Sequence, residues 1–268
     1  MSQTTQDTPR YVIQAATNTL EALLAFGRPP HRFTPSELAQ ELDVDRNQAF
    51  RCLRTLFHVG LVRVDEDDRY VLTGLVKQLA PVAESQLSLV STARAFMDEV
   101  SQTTGETVNL FVLDGDEVTC VDHRDGLRPV RLVSGLERRI PLYAGACPKA
   151  VLAFLPAEQQ RAVVERVADF PALTPQTIRT ADALWEEVHQ IRAAGYAISD
   201  RDIDEEARGV GAPIFRADGQ VIGAISVGGP ASRMTPQRIN ELAGIITSVA
   251  RLISRHLGYN GAVFSPLQ

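Results

Sequence analysis

The stretch FTPSELAQELDVDRNQAFRCLRTLFHVGLVRVDEDDRYVL, residues 33–72, decides how the first part of the chain folds. Its apolar residues recur at the spacing of helical turns: Leu38, Leu42, Ala49, Leu53 and Leu56. This spacing predicts two short amphipathic helices. Thr34 with Glu37 three residues later is the capping-box pattern, so the first helix is predicted from Pro35 to Leu42.

The second helix is predicted to follow a turn at Asp43, Val44 and Asp45, and the Asp45 carboxylate is placed to cap it. Gly60 ends it. Its exposed polar side chains would be Arg46, Asn47, Gln48, Arg51 and Arg54. Arg and Gln side chains can pair with guanine and adenine edges, whereas other cations neutralise phosphate. The pattern is therefore typical of a helix that reads the DNA major groove.

A β-hairpin is predicted next, because residues 61–64 and 69–72 alternate with the two-residue period of strands around the polar run 65–68. Arg63 and Arg69 on these strands complete the predicted DNA-contacting set. We interpret residues 33–72 as a helix-turn-helix with a β-wing that binds double-stranded operator DNA. The alternative is a three-helix domain used only for dimerisation, in which Arg51 and Arg54 are ordinary solvated charges.

The charge of this region does not favour tight binding by one copy. Residues 1–80 contain nine Lys and Arg residues and ten Asp and Glu residues, a net charge of −1. A domain held to DNA mainly by counterion release is strongly basic. We therefore expect a homodimer, or a dimer of dimers, to bind the DNA.

The composition of the chain limits which classes of protein it can belong to. A chain of 268 residues with 44% hydrophobic content and a net charge of −6 is long enough for two domains. Apolar stretches such as Val221–Val227 are too short to cross a bilayer, and residues 1–10 lack a signal core, so we expect a cytoplasmic protein without a membrane partner. Three scattered cysteines, Cys52, Cys120 and Cys147, predict no disulfide framework, metal site or cofactor.

Further helices frame the predicted hairpin. An apolar helix from Gln14 to Phe26 would be the third helix of the DNA-binding module. After the wing, one helical run is predicted from Thr73 to about Thr103, kinked by Pro81. A domain boundary near Ala83 gives two domains, residues 1–83 and 84–268.

The second domain is predicted to be α+β, with a central antiparallel sheet flanked by helices. Strands are predicted at 108–113, 117–123, 130–133, 196–200, 210–216 and 221–227. Helices are predicted at 147–154, 158–167, 181–194 and about 235–257.

Residues 10–257 resemble the IclR family of bacterial transcriptional regulators. Residues 140–150, IPLYAGACPKA, resemble the family's pocket loop entering a helix, and residues 195–200, GYAISD, resemble the start of its signature. Residues 211–215, GAPIF, and 223–230, GAISVGGP, continue that signature. The resemblance implies an N-terminal winged helix-turn-helix, a linker helix and a C-terminal GAF-like domain that binds a small organic effector.

The same resemblance implies which residues form the effector pocket. Leu132 and Ile140 would be apolar walls, and Ala146 with Cys147 would form a loop whose amides can meet an anion. The opposite side would be lined by Ser199, Gly209, Ser226 and Gly228. A domain whose small residues serve only tight sheet packing, and which binds no ligand, is the alternative.

Four positions depart from the family pattern. Gly209 stands where members carry a small polar or sulfur residue, and Gly228 often replaces a serine. Asp202 stands for a usual Glu, and Pro148 for a common Gly. Missing side chains enlarge the pocket and remove hydrogen-bond donors, so we expect a ligand larger or less polar than a short keto acid.

The function expected from these features is transcriptional regulation in which a small effector modulates operator binding, rather than catalysis. A thiol-responsive regulator is one alternative, because Cys147 lies at a predicted helix start, where the helix dipole can stabilise a thiolate. An enzyme is another, but the sequence has no phosphate loop or nucleophile elbow, and the acids at 200–206 are typical of a solvated charge run. No catalytic residue is predicted.

Overall fold

The structure, a computed structural model, describes residues 11–79, 88–133 and 135–261. Its backbone contacts divide the chain into two compact units, residues 1–86 and 87–268. We call them the N-terminal and C-terminal units. Ala83, where the sequence predicts the boundary, lies outside the described residues, so that position stays a prediction. Among the described helices, none is both long and apolar enough to span a membrane.

The N-terminal unit contains three α-helices and a small sheet. The helices are α1 (Gln14–Ala25), α2 (Pro35–Leu42) and α3 (Arg46–His58), and the strands are β1 (Arg32–Phe33), β2 (Val62–Val64) and β3 (Tyr70–Leu72). A core of buried side chains, Phe26, Phe33, Leu38, Leu53 and Leu56 among them, packs the helices together. The predicted helix-turn-helix and hairpin are confirmed.

Side-chain caps determine where α2 and α3 begin. The Thr34 hydroxyl accepts from the Glu37 N–H at 3.3 Å, and the Glu37 carboxylate accepts from the Thr34 N–H at 2.8 Å. The Asp45 carboxylate accepts from the Gln48 N–H at 3.0 Å. These bonds satisfy amides that have no partner within the first helical turn. The capping predictions are therefore confirmed.

The hairpin belongs to a three-stranded antiparallel sheet in the order β1-β3-β2. Strand β1 pairs Arg32 with Val71 and Phe33 with Tyr70. Sequence patterning missed this strand, because two residues are too few to show an alternating period. Phe33 contributes a fully buried ring to the helical core, so β1 joins the wing to the helices.

The single helix predicted from Thr73 to about Thr103 is wrong in its first part. Residues Gly74–Gln78 form a short 3₁₀ helix with no buried side chain. Because none of its side chains packs into a core, nothing stabilises an α-helix there, and Gly74 is a poor helix former. The described α-helix, α4, runs from Leu89 to Thr104. The predicted kink at Pro81 lies outside the described residues.

The C-terminal unit is built on a six-stranded antiparallel sheet in the order β6-β5-β4-β9-β8-β7. The strands are β4 (Thr107–Asp114), β5 (Glu117–Arg124), β6 (Arg139–Pro141), β7 (Ala197–Asp200), β8 (Ala207–Phe215) and β9 (Val221–Pro230). Besides α4, the helices are α5 (Ala146–Leu152), α6 (Ala157–Val164), α7 (Ala181–Ala194) and α8 (Pro236–His256). The predicted α+β class is confirmed.

The two faces of this sheet bury different cores. Leu110, Ile225 and their neighbours pack with apolar residues of α4 and α8. Phe111 and Ala224, one position along the same strands, pack instead with residues of α5, α6 and α7. Side chains alternate between the faces of a strand, so the sheet lies between two helical layers.

The strand predicted at Val130–Val133 is wrong. The strand in this part of the sequence is β6, whose Ile140 pairs with Val118 of β5. Val130 and Val133 are exposed, at 67% and 79%. Their segment is held by side chains instead, because the Thr107 hydroxyl donates to the Leu132 carbonyl at 2.8 Å and Arg233 donates to the Val130 carbonyl at 3.0 Å.

The packing of α5 on β8 predicts opposite effects for two glycine-to-alanine substitutions. A Cβ on Gly211 would lie 2.8 Å from the Ala146 carbonyl carbon and 2.9 Å from the Cys147 nitrogen. Gly211→Ala should therefore lower the free energy of unfolding by about 1–3 kcal/mol. Gly244→Ala, in α8 with nothing within 4 Å, should raise it by about 0.5–1 kcal/mol.

Urea unfolding followed by Trp185, the single tryptophan of the chain, measures both effects within the C-terminal unit. Equal stability of Gly211→Ala and wild type would show that the packing of α5 on β8 does not depend on the absence of a side chain at residue 211.

Candidate functional site

Helix α3 presents a polar face to solvent. Its buried residues, Ala49, Cys52, Leu53 and Leu56, form one side of the helix. Asn47, Arg51 and Arg54 lie on the opposite side, three and four residues apart, and are exposed. Such a face can donate and accept hydrogen bonds at base edges and also neutralise phosphate.

The two other predicted residues of α3 lie at its first turn. Arg46 is exposed, and its Nε donates to the Ser36 hydroxyl of α2 at 3.1 Å. Gln48 is half-buried. Arg54 further along stacks over the Phe57 ring, with its guanidinium carbon 5.2 Å from the ring centroid. The contact limits where that charge can lie.

The wing arginines differ from one another. Arg63 is exposed on β2. Arg69 is half-buried and pairs with Glu37, its Nη2 lying 2.8 Å from Oε1 and its Nη1 3.1 Å from Oε2. The N–H of Thr34 and the charge of Arg69 hold the pKa of Glu37 below its usual value. Arg69 therefore joins the wing to α2, and its predicted DNA contact stays untested.

Helix α3 is positively charged, because Arg46, Arg51 and Arg54 lie on it and it contains no acidic residue. Among its described residues, the ion pairs join Arg32 to Asp65 and Asp67, and Arg69 to Glu37. They neutralise acids at the wing tip and at α2. The cations of this unit outside those pairs include Arg46, Arg51, Arg54 and Arg63, four of the seven predicted DNA-contacting residues. The local charge at α3 is thus more favourable for DNA than the net charge of residues 1–80.

The C-terminal unit contains a partly open cavity of about 600 Å³ between the sheet and the loop that enters α5. All eight residues of the predicted effector pocket line it: Leu132, Ile140, Ala146, Cys147, Ser199, Gly209, Ser226 and Gly228. Pockets for small organic molecules have volumes of roughly 300–1,000 Å³. That these residues bind an effector stays a prediction.

Small residues on adjacent strands create this space. Gly209 of β8 pairs with Gly228 of β9, and Gly211 pairs with Ser226. Three of these four positions carry no side chain on the sheet face below α5. Gly145, at φ +91°, lets the loop turn into α5, where a Cβ would lie 2.2 Å from the Ile203 side chain. The cavity thus depends on glycines of both the sheet and the loop.

The cavity also contains residues that the sequence reasoning missed. From the sheet they are Asn109, Phe111 and Cys120, and from the rim they include Arg131, Arg138 and Arg208. The strand alternation of β4, together with the pairing of Asn109 and Ser226, would have placed Asn109 and Phe111 on this face. The pairing itself could not be read from the sequence. Arg131 and Arg138 gave no signal because they lie outside the strands, and Arg208 lies in β8 ahead of the strand predicted from Val210.

Two family matches cover most of the chain. Residues 82–255 match the C-terminal domain of the bacterial transcriptional regulator IclR, and residues 15–66 match the IclR helix-turn-helix domain. The chain belongs to the IclR family. It is 30% identical over 226 residues to the HTH-type transcriptional regulator KipR of Bacillus subtilis (strain 168), covering 84% of this chain and 90% of KipR. KdgR of Escherichia coli (strain K12) is 30% identical over 230 residues, or 85% of this chain and 87% of KdgR.

Solved structures agree on the fold. An IclR-type transcriptional regulator from Silicibacter sp. TM1040 superposes with a TM-score of 0.85 at 24% identity, covering 92% of this chain and 97% of that one. The IclR of Thermotoga maritima gives a TM-score of 0.62 at 28% identity, covering 92% and 99%.

Behind the wall of this IclR-family cavity lies a buried charge cluster. Lys149 of α5 lies 2.9 Å from Asp202 and 2.8 Å from Glu187. Asp202 also accepts from the Gly145 N–H at 3.0 Å and from the Ser199 hydroxyl. One carboxylate therefore connects α5, the pocket loop and β7. The sequence marks Asp202 as a departure from the IclR pattern and as part of a run of acids typical of a solvated surface. The second expectation is wrong, because Asp202 is buried and paired with Lys149.

The environment of Cys147 opposes the thiol-sensing alternative. The residue is buried, and burial raises the pKa of its thiol to about 12. The thiolate is the reactive form of cysteine, so this thiol is protonated and unreactive near neutral pH. The loss of hydration is the largest effect on this pKa and outweighs the hydrogen bond with Ser226, which lowers it. Within the described residues, no group of three or more His, Cys, Asp or Glu side chains could hold a metal ion.

We predict that Cys147 in the folded protein resists iodoacetamide at pH 8. The raised pKa of about 12 leaves almost no thiolate at that pH. Site-resolved mass spectrometry measures the label, and urea-unfolded protein, in which the thiol is hydrated, provides the fully labelled control. Labelling of native Cys147 as fast as in urea would restore the redox alternative.

Proposed function

We propose that this chain binds operator DNA through α3 and the wing, and that a small organic effector in the C-terminal cavity changes its affinity for that DNA. The observation that carries the proposal is the exposed face of Asn47, Arg51 and Arg54 on a capped helix-turn-helix. The family supports it, because KipR and KdgR are named HTH-type transcriptional regulators.

In this proposal some residues of α3 contact bases and others contact phosphates, according to their position on the helix. Asn47, Gln48 and Arg51 lie in its amino-terminal half, which approaches base edges in helix-turn-helix complexes. Arg46, Arg54 and Arg63 would neutralise phosphates and fix the register. Arg69 would have to leave its ion pair with Glu37 before it could contact a phosphate. We therefore assign Arg69 the weakest direct contribution to DNA binding.

The proposed effector lies among the eight cavity residues. Leu132 and Ile140 provide apolar contacts, Ala146 and Cys147 provide the loop, and the four small residues of β7, β8 and β9 provide the opposite wall. The volume of about 600 Å³ far exceeds that of a short keto acid and supports a larger ligand. Effector binding would shift the population of DNA-competent arrangements.

We propose that the DNA-bound form is a homodimer or a dimer of dimers. The net charge of −1 over residues 1–80 limits how tightly one copy can hold DNA. Helix α1 and the residue before it also expose Ile13, Leu20 and Leu24, at 71%, 58% and 71%. These positions share one helical stripe that a second copy could cover.

We propose no catalytic activity and no cofactor. The carboxylates at 200–206 that could in principle perform acid-base chemistry include Asp200 and Asp202, which are paired with Arg208 and Lys149. Since operator DNA is the proposed partner, the proposed location is the cytoplasm.

Removing one charge from α3 tests the DNA-binding part. Arg51→Ala should weaken binding to the DNA upstream of the chain's own gene by about tenfold, since a base contact contributes about 1–3 kcal/mol. Fluorescence anisotropy at several salt concentrations measures it. Arg161→Ala, which removes an exposed arginine from α6, is the charge-matched control. Equal affinities of both variants and wild type would contradict the proposed surface.

Filling the cavity tests the effector part. A Cβ on Gly228 would lie 3.3 Å from the Leu132 side chain, so the methyl groups of Gly228→Val would occupy cavity volume. A compound at 100 times its Kd stabilises the wild type by about 2.7 kcal/mol. Thermal-shift measurements should find that Gly228→Val reduces this stabilisation while Gly244→Ala retains it. Equal shifts in both variants would place the ligand elsewhere.

A further inference from the structure

We infer that the effector presents a hydrogen-bond donor, a hydroxyl or an N–H group, to Ser199, and that Asp202 and Lys149 fix this preference. The inference rests on the proposed function, because it requires that the cavity bind an effector. It adds the chemical class: a hydroxylated or N–H-bearing compound over its oxo counterpart.

The first step is the direction of the Ser199 hydrogen bond. Ser199 lines the cavity, and its hydroxyl donates to Oδ1 of Asp202. A serine hydroxyl has one hydrogen and two lone pairs. With its hydrogen committed to Asp202, Ser199 can only accept from a ligand.

The second step is that Asp202 cannot reverse this bond. Its Oδ2 lies 2.9 Å from the Lys149 ammonium and accepts from the Gly145 N–H at 3.0 Å. Both Asp202 and Lys149 are only 4% exposed. Burial lowers the pKa of Lys149, but the charges of Asp202 and Glu187 outweigh burial and raise it above its usual value. The Lys149 ammonium and the Gly145 N–H are both donors, so they orient the Asp202 carboxylate as an acceptor, and the hydrogen of the Ser199 bond stays on Ser199.

A second acceptor on the cavity wall has no donor. Asn109 lines the cavity on β4, and its buried Oδ1 has no hydrogen-bond partner among the described residues. The Ser199 hydroxyl oxygen and the Asn109 Oδ1 can therefore each accept a hydrogen bond from a ligand. A ligand carbonyl at Ser199 would leave two acceptors facing each other, and a site built for a hydroxyl discriminates strongly against an analogue that lacks it.

Paired organic acids that differ only at one carbon test this polarity. The probes are lactate with pyruvate, 2-hydroxyglutarate with 2-oxoglutarate, and mandelate with phenylglyoxylate. Isothermal titration of the full chain should show that the hydroxy acid of each pair that binds has a Kd about tenfold lower than the oxo acid, because the oxo acid leaves the Ser199 acceptor without a donor.

Two variants separate the roles of the residues. Ser199→Ala should reduce the preference within a pair to about twofold or less, because the acceptor is gone. In Asp202→Asn, the amide oxygen is needed by Lys149 and Gly145, so the amide NH₂ faces Ser199 and donates to it. The Ser199 hydrogen then turns to the cavity, and the preference should shift toward the oxo acid. A merely structural role for Asp202 would weaken both acids equally.

Ser232→Ala is the matched control, because Ser232 also lines the cavity and is exposed. It should keep the wild-type preference. Binding of both members of a pair with equal affinity by the wild type, or an unchanged preference in Ser199→Ala, would overturn the inference and leave the proposed function intact. No binding by any of the six acids would overturn the inference for hydroxy and oxo acids, whereas the proposed small organic effector is tested separately by the Gly228→Val thermal shifts.

Discussion

The carboxylate of Asp202 is the constraint on which the C-terminal unit depends. It is almost completely buried, so its charge must be matched, and Lys149 of α5 matches it at 2.9 Å. The same group holds the Gly145 amide and the Ser199 hydroxyl. Removing one partner of a buried pair typically costs about 3–5 kcal/mol. The pair therefore fixes α5 over the glycine-rich sheet, and the cavity is the space that remains between them.

The N-terminal unit, by contrast, has its ion pairs at the surface instead of in the core. Its acids are concentrated at the wing tip and at α2, where Arg32 and Arg69 pair with them. The arginines of α3 are left to face solvent. We propose that such a near-neutral domain with a locally positive helix binds DNA weakly as a single copy, and that its affinity depends on how two or four copies are arranged. A ligand that changes the relative arrangement of these copies would then change the affinity for DNA.

Sequence reasoning succeeded where the signal was local. Caps at Thr34 and Asp45 and the helical period of the N-terminal unit predicted both ends of α2 and the start of α3. The IclR resemblance supplied the eight cavity residues. It failed where structure depends on distant partners. The two-residue strand β1 exists because Val71 and Tyr70 pair with it. The segment at Val130 has strand-forming residues, yet Thr107 and Arg233 hold it as a loop. The Lys149–Asp202 pair joins residues 53 positions apart.

The most direct test is the coupling between cavity and DNA. Operator Kd is measured by fluorescence anisotropy without ligand and with a saturating amount of a compound whose thermal shift is reduced by Gly228→Val. We predict that the two values differ by about 5- to 150-fold, and that operator DNA changes the Kd of the compound by the same factor. An operator Kd that is the same with and without the compound would contradict regulation through the cavity.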